Sequence, residues 1–451
     1  MDDRKLFYKK VLFLMLPIAL QNLINVGISS IDVIMLGRVG ENVLSGASLG
    51  SQINFIMSLF LFGVMSGSSV LIAQYWGKND IEPIKTVFGL AMKVSAVIGV
   101  LFFAVTISAP GYLMRIFTSE PEVIHYGVQY LRIVCWSYLI IPLVMTYLNT
   151  MRSMEQVTVA TVAYLTSMIV NIVVNAFLIF GLCGMPKLGI RGAAIGTVVA
   201  RLSELAVVTA HNIFKNKTLK FRFSFLFRKN SLLGKDFISY STPVMANELI
   251  WGAGVSAISA VLGHMGSPVV AANSVTQVVR QLAMVIGFGI SSTTAILLGK
   301  AIGAGEEKLA LVYAKRFLFL SVVTGFLGSA VVLIARPVCL SFLILTPQAQ
   351  KYLNFMMYIM SYFVIGQSVN TTIVVGICRS GGDTRFGLVL DSVYLWGVAI
   401  LFGFLSAFVF RWGAYVTYII LLSDEVLKIP VTLWRYRSKK WLKNVTRGET
   451  S

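Results

Sequence analysis

The chain has 451 residues, of which 57% are apolar and only 13% charged, and its net charge is +19. Soluble domains carry about 45–50% apolar and about 25% charged residues, so the composition excludes a water-soluble globular protein, which would expose its apolar excess, and it excludes a disordered chain. With a mean hydropathy of +0.80, the basic excess belongs to loops at a membrane surface, not to a nucleic-acid-binding face.

Apolar stretches follow in chain order at 11–36, 48–74, 86–110, 124–150, 157–181, 190–214, 237–263, 269–299, 312–335, 350–378, 386–410 and 412–434. At about 1.5 Å per residue each approaches or exceeds what a hydrocarbon layer of about 30 Å requires. They are long runs, not alternating segments of about ten residues, which argues against a β-barrel. The reading is an all-α polytopic membrane protein of twelve transmembrane helices. The first run is too long for a signal-peptide core and lacks a small-residue cleavage site. Cys135, Cys183, Cys339 and Cys378 lie in or beside apolar stretches with no metal-ligand spacing, and read as reduced core thiols.

Lys and Arg orient the spans. With the N-terminus in the cytoplasm, only seven of the 38 basic residues fall in outer loops and five within spans, the rest being cytoplasmic. Both termini are therefore expected inside the cell (inner) membrane. The expected organisation is an N-lobe over 1–214, a basic cytoplasmic linker over 215–235, a C-lobe over 236–436 and a basic tail over 437–451. The linker holds seven Lys and Arg, in "KNKTLKFRF" and "FRKN" among others, and suits anionic lipid headgroups rather than nucleic acid.

The chain repeats at an offset of 226 residues: Pro17 falls on Pro243, Leu23-Ile24 on Leu249-Ile250, "LGRVG" on "LGHMG", Phe62-Gly63 on Phe288-Gly289 and Gly77 on Gly303. Further on, "MRSMEQ" (151–156) resembles "CRSGGDT" (378–384). Six spans per half is an even number, so both halves start from the same side and should be related by a pseudo-two-fold axis along the membrane normal.

Charges inside spans cost about 2.5–3.5 kcal/mol by insertion scales and stay where they line water, pair or titrate. Glu248 lies eleven residues beyond Phe237, about 16 Å along the helix and close to the bilayer centre. It has no basic neighbour one turn away. Its alternatives are a proton or cation carrier and a packing hydrogen bond to another helix. Asp32 lies four residues from Leu36 and is either an interfacial acid paired with Arg38 or a site residue. Arg201 and Glu204 share a helix face and should pair, as should Asp424-Glu425 with Lys428. Arg280 needs a partner, for which Glu248 is a candidate, and Asp391 has Arg379 or Arg385 as candidates. No Walker lysine motif, catalytic triad or HExxH is present. An enzyme is therefore not expected, nor a cofactor.

The pattern Pro17, Gln21, Asp32, Leu36-Gly37, Gly40 resembles the MATE (multidrug and toxic compound extrusion) family. So do "LIAQYWGKND", Asn171-Asn175-Gly181, "GIRGAAIGTVVAR", Pro243 with Glu248, and "RSGGDTRF". The resemblance covers essentially the whole chain and is nearest to NorM- and DinF-like bacterial members. It implies two six-helix lobes in a V, and a monomer that exports organic cations, drugs or amphiphilic metabolites against inward Na⁺ or H⁺. It places the N-lobe coupling site at Asp32 with Asn171, Asn175 and Thr197, and the C-lobe carboxylate at Glu248. Na⁺ would bind at either. Asn175 and Asn370 stand where some members carry a second Asp, which weakens a Na⁺ site, because affinity for a hard cation rises with anionic oxygen ligands. Gln277, Gln281, Gln367 and Asn370 could add carbonyl oxygens. Gln21, Gln277, Gln281, Arg280 and Asp391 are expected along the substrate path. The alternative is a flippase of lipid-linked saccharides on a related scaffold, which would need a cationic cavity.

Overall fold

The computed structural model describes residues 3–228, 230–342 and 345–447, and among these every regular element is helical. The helical runs are α1 (Asp3–Gly37), α2 (Glu41–Gly77), α3 (Ile81–Ser108), α4 (Pro121–Leu139 and Ile141–Ser153), α5 (Thr158–Phe180), α6 (Ile190–Lys215), α7 (Ser231–Gly263), α8 (Ser267–Ala283 and Val285–Gly303), α9 (Glu307–Phe342), α10 (Pro347–Cys378), α11 (Arg385–Val409) and α12 (Ala414–Leu421 and Asp424–Arg437). A short helix, Pro110–Phe117, precedes α4. Among the described residues, ten helices are long and apolar enough to cross a membrane, or eleven when the two arms of α4, bent by 41°, count as one span. The remaining expected span is α12. It is broken at Leu422-Ser423 and carries Asp424, Glu425 and Lys428, so it fails a test of continuous apolarity.

Large apolar side chains cover the outer faces. Phe13, Leu16, Ile34, Phe319, Phe326 and Ile334 are all exposed. Water penalises such a surface and a lipid phase does not.

Two units emerge from the packing. The N-unit comprises Leu20–Ser68 with Ile81–Ile238; the C-unit comprises Met1–Ala19, Ser69–Asp80 and Ser239–Ser451. The start of α1 and the end of α2 thus belong to the C-unit. In α1 the change of unit falls just after Pro17, and in α2 just after Gly67. Proline removes a backbone hydrogen bond and glycine weakens a helix, so these are the segments least able to resist bending.

In the N-unit, α5 and α6 cross at glycines. A Cβ on Gly192 would fall 2.6 Å from the Leu178 carbonyl oxygen, and one on Gly196 only 1.9 Å from Asn175 Oδ1. This is the small-residue spacing that lets membrane helices approach closely. In the C-unit the repeat makes one contact twice. A Cβ on Gly77 would meet the Lys300 carbonyl oxygen at 2.0 Å, and one on Gly303 the Gln74 carbonyl oxygen at 1.9 Å. The two glycines and their two partners are each 226 residues apart, so α2 and α8 cross with the reciprocity of an isologous contact.

Three helices widen to i→i+5 hydrogen bonding: α6 at its end over His211–Lys215, α10 over Thr372–Cys378, and α11 over Asp391–Ile400 and Leu405–Val409. Such π segments re-aim side chains and are frequent at functional sites. Cys135 and Cys378 are buried and free, and Cys339 is free and half-buried. The Cys183 side chain and the last four tail residues, 448–451, lie outside the described residues.

Candidate functional site

In the N-unit the amide of Asn175 does the gathering. Its Nδ2 donates to Asp32 Oδ1 at 2.7 Å and lies 3.2 Å from Asn171 Oδ1, one turn earlier on α5. Asp32 is half-buried, while Asn171 and Asn175 are buried. Asn175 Oδ1 is itself buried without a hydrogen-bond partner and rests against Gly196. Among the described residues no basic side chain lies within ion-pair distance of Asp32. Arg38 does not pair with it, and Arg201, its nearest cationic influence, pairs instead with Glu204 at 2.6 Å.

Thr197 does not reach Asp32 directly. Its hydroxyl donates to the Ala193 carbonyl of its own helix at 3.1 Å. Between them stands Tyr130, whose hydroxyl lies beside Ser51 and Thr197 and is an electrostatic neighbour of Asp32. Nothing in the local pattern of the sequence marks Tyr130. Gln21 lies apart from this cluster. Its Nε2 donates to the Val157 carbonyl at 3.1 Å and to Thr161 Oγ1 at 2.9 Å, and its Oε1 accepts from Arg152 Nη2 at 2.7 Å.

The C-unit is built on ion pairs. Glu248 Oε1 lies 2.9 Å from Arg379 Nη2, with both side chains largely buried. The partner comes from α10, so the absence of a basic neighbour along α7 did not leave Glu248 unpaired. Asp391 is held by Lys428 Nζ at 2.8 Å, not by Arg379 or Arg385, and accepts from Asn247 Nδ2 at 2.9 Å. The same ammonium reaches Asp424 at 2.7 Å and Glu425 at 3.6 Å. It occupies the centre of three carboxylates, where a free cation would otherwise sit.

Asn370 donates to the Glu425 backbone carbonyl at 2.6 Å and to its carboxylate at 2.8 Å. Its own carbonyl accepts from Thr432 at 2.9 Å, so that oxygen is spent on packing α10 against α12. Arg280 does not pair with Glu248. Its Nε donates to Gln277 at 2.7 Å and its Nη1 to Gln367 at 3.2 Å. Gln281 is exposed and belongs to none of these groups.

Two observations carry chemical weight. Asp32 is a carboxylate that accepts a hydrogen bond from an amide N–H and, among the described residues, has no basic side chain within ion-pair distance. Glu248 and Asp391 are carboxylates already neutralised by fixed cations. A Na⁺ ion needs several oxygen ligands turned toward it, and the amide beside Asp32 presents its nitrogen. A proton needs only the carboxylate.

A family model described as MatE matches residues 17–177 and 243–405, two matches whose starts are offset like the internal repeat. The chain is similar to the probable multidrug resistance protein YoeA of Bacillus subtilis, 23% identical over 87% of this chain and 85% of that one. It is likewise similar to the probable multidrug resistance protein NorM of Thermotoga maritima, 21% identical over 96% and 93% of the two chains. Among solved structures, the outward-facing conformation of a multidrug resistance MATE family transporter of the MOP superfamily superposes with a TM-score of 0.86 at 16% identity, covering 96% of this chain and 95% of that one.

Proposed function

This chain belongs to the MatE family of multidrug and toxic compound extrusion transporters, and on that premise we propose that it is an antiporter that exports organic cations or amphiphiles in exchange for inward protons bound at Asp32. The observation that supports this reading is the unpaired state of Asp32 beside the paired Glu248 and Asp391. Deprotonated Asp32 accepts a charge-assisted hydrogen bond from Asn175, which ties α1 to α5. Protonation removes the charge, and a neutral hydrogen bond is roughly half as strong. The proton thereby loosens the part of α1 that follows Pro17, and a coupling ion acts only by preferring one arrangement of the helices over another. Glu248 and Asp391 hold their helices through Arg379 and Lys428. Na⁺ at Asp32 is disfavoured because the nearest amide turns its nitrogen toward the carboxylate. The basic linker and tail rest on the cytoplasmic face of the cell membrane, with both termini inside, and the chain works as a monomer.

The test is dye uptake into inverted vesicles containing the full chain, with pH and Na⁺ gradients imposed separately. Uptake of a fluorescent organic cation should follow the pH gradient, ignore Na⁺ and vanish in Asp32→Asn. Uptake that follows Na⁺, or an Asp32→Asn variant that transports like the wild type, overturns proton coupling at Asp32.

A further inference from the structure

The C-unit contains an arginine that the coupling chemistry leaves unused. Arg280 lies one turn before α8 breaks at Met284 and is half-buried. A guanidinium inside a membrane span costs several kcal/mol and normally faces a carboxylate. Among the described residues none lies within ion-pair distance of Arg280. Its closest acidic influence, Glu425, is already engaged by Asn370 and Lys428.

Its hydrogen bonds run to amide oxygens, Gln277 Oε1 at 2.7 Å and Gln367 Oε1 at 3.2 Å. A guanidinium carries five N–H groups in a fixed fork, so part of the fork is left to donate. Both glutamines turn their oxygens to the arginine; a Gln277 N–H already points to Asn273 Oδ1 at 3.5 Å, which leaves Gln367 as the one of the two with N–H to offer. Tyr418 adds a further group. It is 1% exposed, its hydroxyl has no hydrogen-bond partner, and it is an electrostatic neighbour of Arg280. Its ring packs in the same apolar cluster as Val279 and Ala283, which flank Arg280 on α8, and as Met284, Met360 and Val364. The result is a fork of donors with unspent capacity, beside a buried hydroxyl, against methionines that adapt to ligand shape.

We infer that Arg280, Gln367 and Tyr418 form a subsite for an acidic group, so that the substrate is an amphiphile bearing a carboxylate or a similar anion in addition to any positive charge. The planar guanidinium fork suits such a group, which it can hold through two parallel hydrogen bonds. This deepens the export reading above and rests on it.

The test uses two dyes that differ at one position, rhodamine 123 (a methyl ester) and rhodamine 110 (its free acid). Their binding to the purified full-length protein is followed by fluorescence polarisation. The wild type should bind the acid more tightly. Arg280→Gln should weaken the acid by at least about tenfold, the loss expected for hydrogen bonds to a charged group, and leave the ester within about twofold. Tyr418→Phe removes one hydroxyl from a retained ring, and Arg280→Lys retains the charge without the fork. Both should produce a smaller loss confined to the acid, and they carry the test should Arg280→Gln fold poorly. Equal wild-type affinity for the two dyes, or equal losses for both in the variants, overturns the acidic subsite and leaves the export reading standing. A wild type that binds neither dye overturns the export reading, and the subsite with it.

Discussion

Arg379 holds Glu248 at 2.9 Å, and the same contact is made once more in the other half of the chain, where Arg152 holds Gln21 at 2.7 Å. Arg152 opens the "MRSMEQ" segment and Arg379 the similar "CRSGGDT" segment. In each half the arginine ending the fourth span reaches back to the first. The acceptor is a carboxylate in the second half and an amide in the first, one position out of the 226-residue register, which sets Gln21 on Asn247 and Glu248 on Asn22. The charge on Glu248 is balanced locally by Arg379.

Removing one side of this pair should be far worse than removing both. Arg379→Gln leaves Glu248 buried and uncompensated, a change that costs about 3–5 kcal/mol in buried pairs. Arg379→Gln with Glu248→Gln removes both charges and leaves two neutral amides that can hydrogen-bond to each other. Thermal melting of the purified protein should show a large fall for the single variant and a partial recovery for the double. A double variant as unstable as the sum of its singles would show that the two side chains act independently.

Gly77 and Gly303 offer a test of the reciprocal helix crossing. Alanine at either places a Cβ within about 2 Å of a backbone oxygen on the other helix, and backbone cannot swing aside as a side chain can. Gly77→Ala and Gly303→Ala should therefore reduce folded yield to a similar degree, because the contacts are repeat-related. Gly263→Ala, where a Cβ meets nothing within 4 Å, should leave yield unchanged. A large difference between the first two variants, measured by size-exclusion chromatography, would show that the crossing is not shared equally.

The spans were legible because apolarity is a one-dimensional signal, and the repeat because Pro17 with Pro243 and Gly77 with Gly303 kept one offset. Charge partners one turn apart on a helix were legible too, Arg201 with Glu204 and Lys428 with Asp424 and Glu425, but partners on separate helices were not. Sequence proximity pointed Asp391 toward Arg379 or Arg385, whereas the ammonium that reaches it comes from Lys428 on the following helix. Proximity cannot show which faces of separate helices meet. The π segments beginning at Thr372 and Asp391 rotate the residues that follow, beyond what a 3.6-residue period can track. The grouping of Asp32 with Asn171 and Asn175 came from the family resemblance, since spacing shows only that the two asparagines share a face of α5. Tyr130, which stands beside Thr197, carried no comparable signal.

Gly196 should matter for the Asp32 cluster more than for the fold. A Cβ there falls 1.9 Å from Asn175 Oδ1, a side-chain atom that can rotate away, whereas a Cβ on Gly192 meets the Leu178 backbone. Gly196→Ala should fold, displace the amide that donates to Asp32, and lose most proton-driven dye uptake. Gly192→Ala should fail at folding instead. The two are separated by measuring folded yield and transport on the same preparations, and a Gly196→Ala variant with normal transport would mean that the Asn175 contact is dispensable.

The tail beyond α12 is tied to the end of α2 by buried hydrogen bonds. The Gln74 side-chain amide donates to the Ser380 carbonyl at 2.8 Å and to the Lys443 carbonyl at 3.1 Å, and its oxygen accepts from the Val445 N–H at 2.7 Å. Asn444 donates to the Ile302 carbonyl at 3.1 Å, and Trp441 is fully buried. Ending the chain after Lys440 removes the Lys443 and Val445 partners while the rest of the Gln74 cradle persists. An orphaned buried polar group costs about 1–3 kcal/mol, whereas an apolar side chain of similar shape avoids that penalty. Gln74→Leu should therefore destabilise the full chain, which has partners to lose, and destabilise the truncated chain much less or not at all. Melting temperatures of the four proteins decide it, and equal effects of Gln74→Leu in the two backgrounds would show that the tail does not act through Gln74.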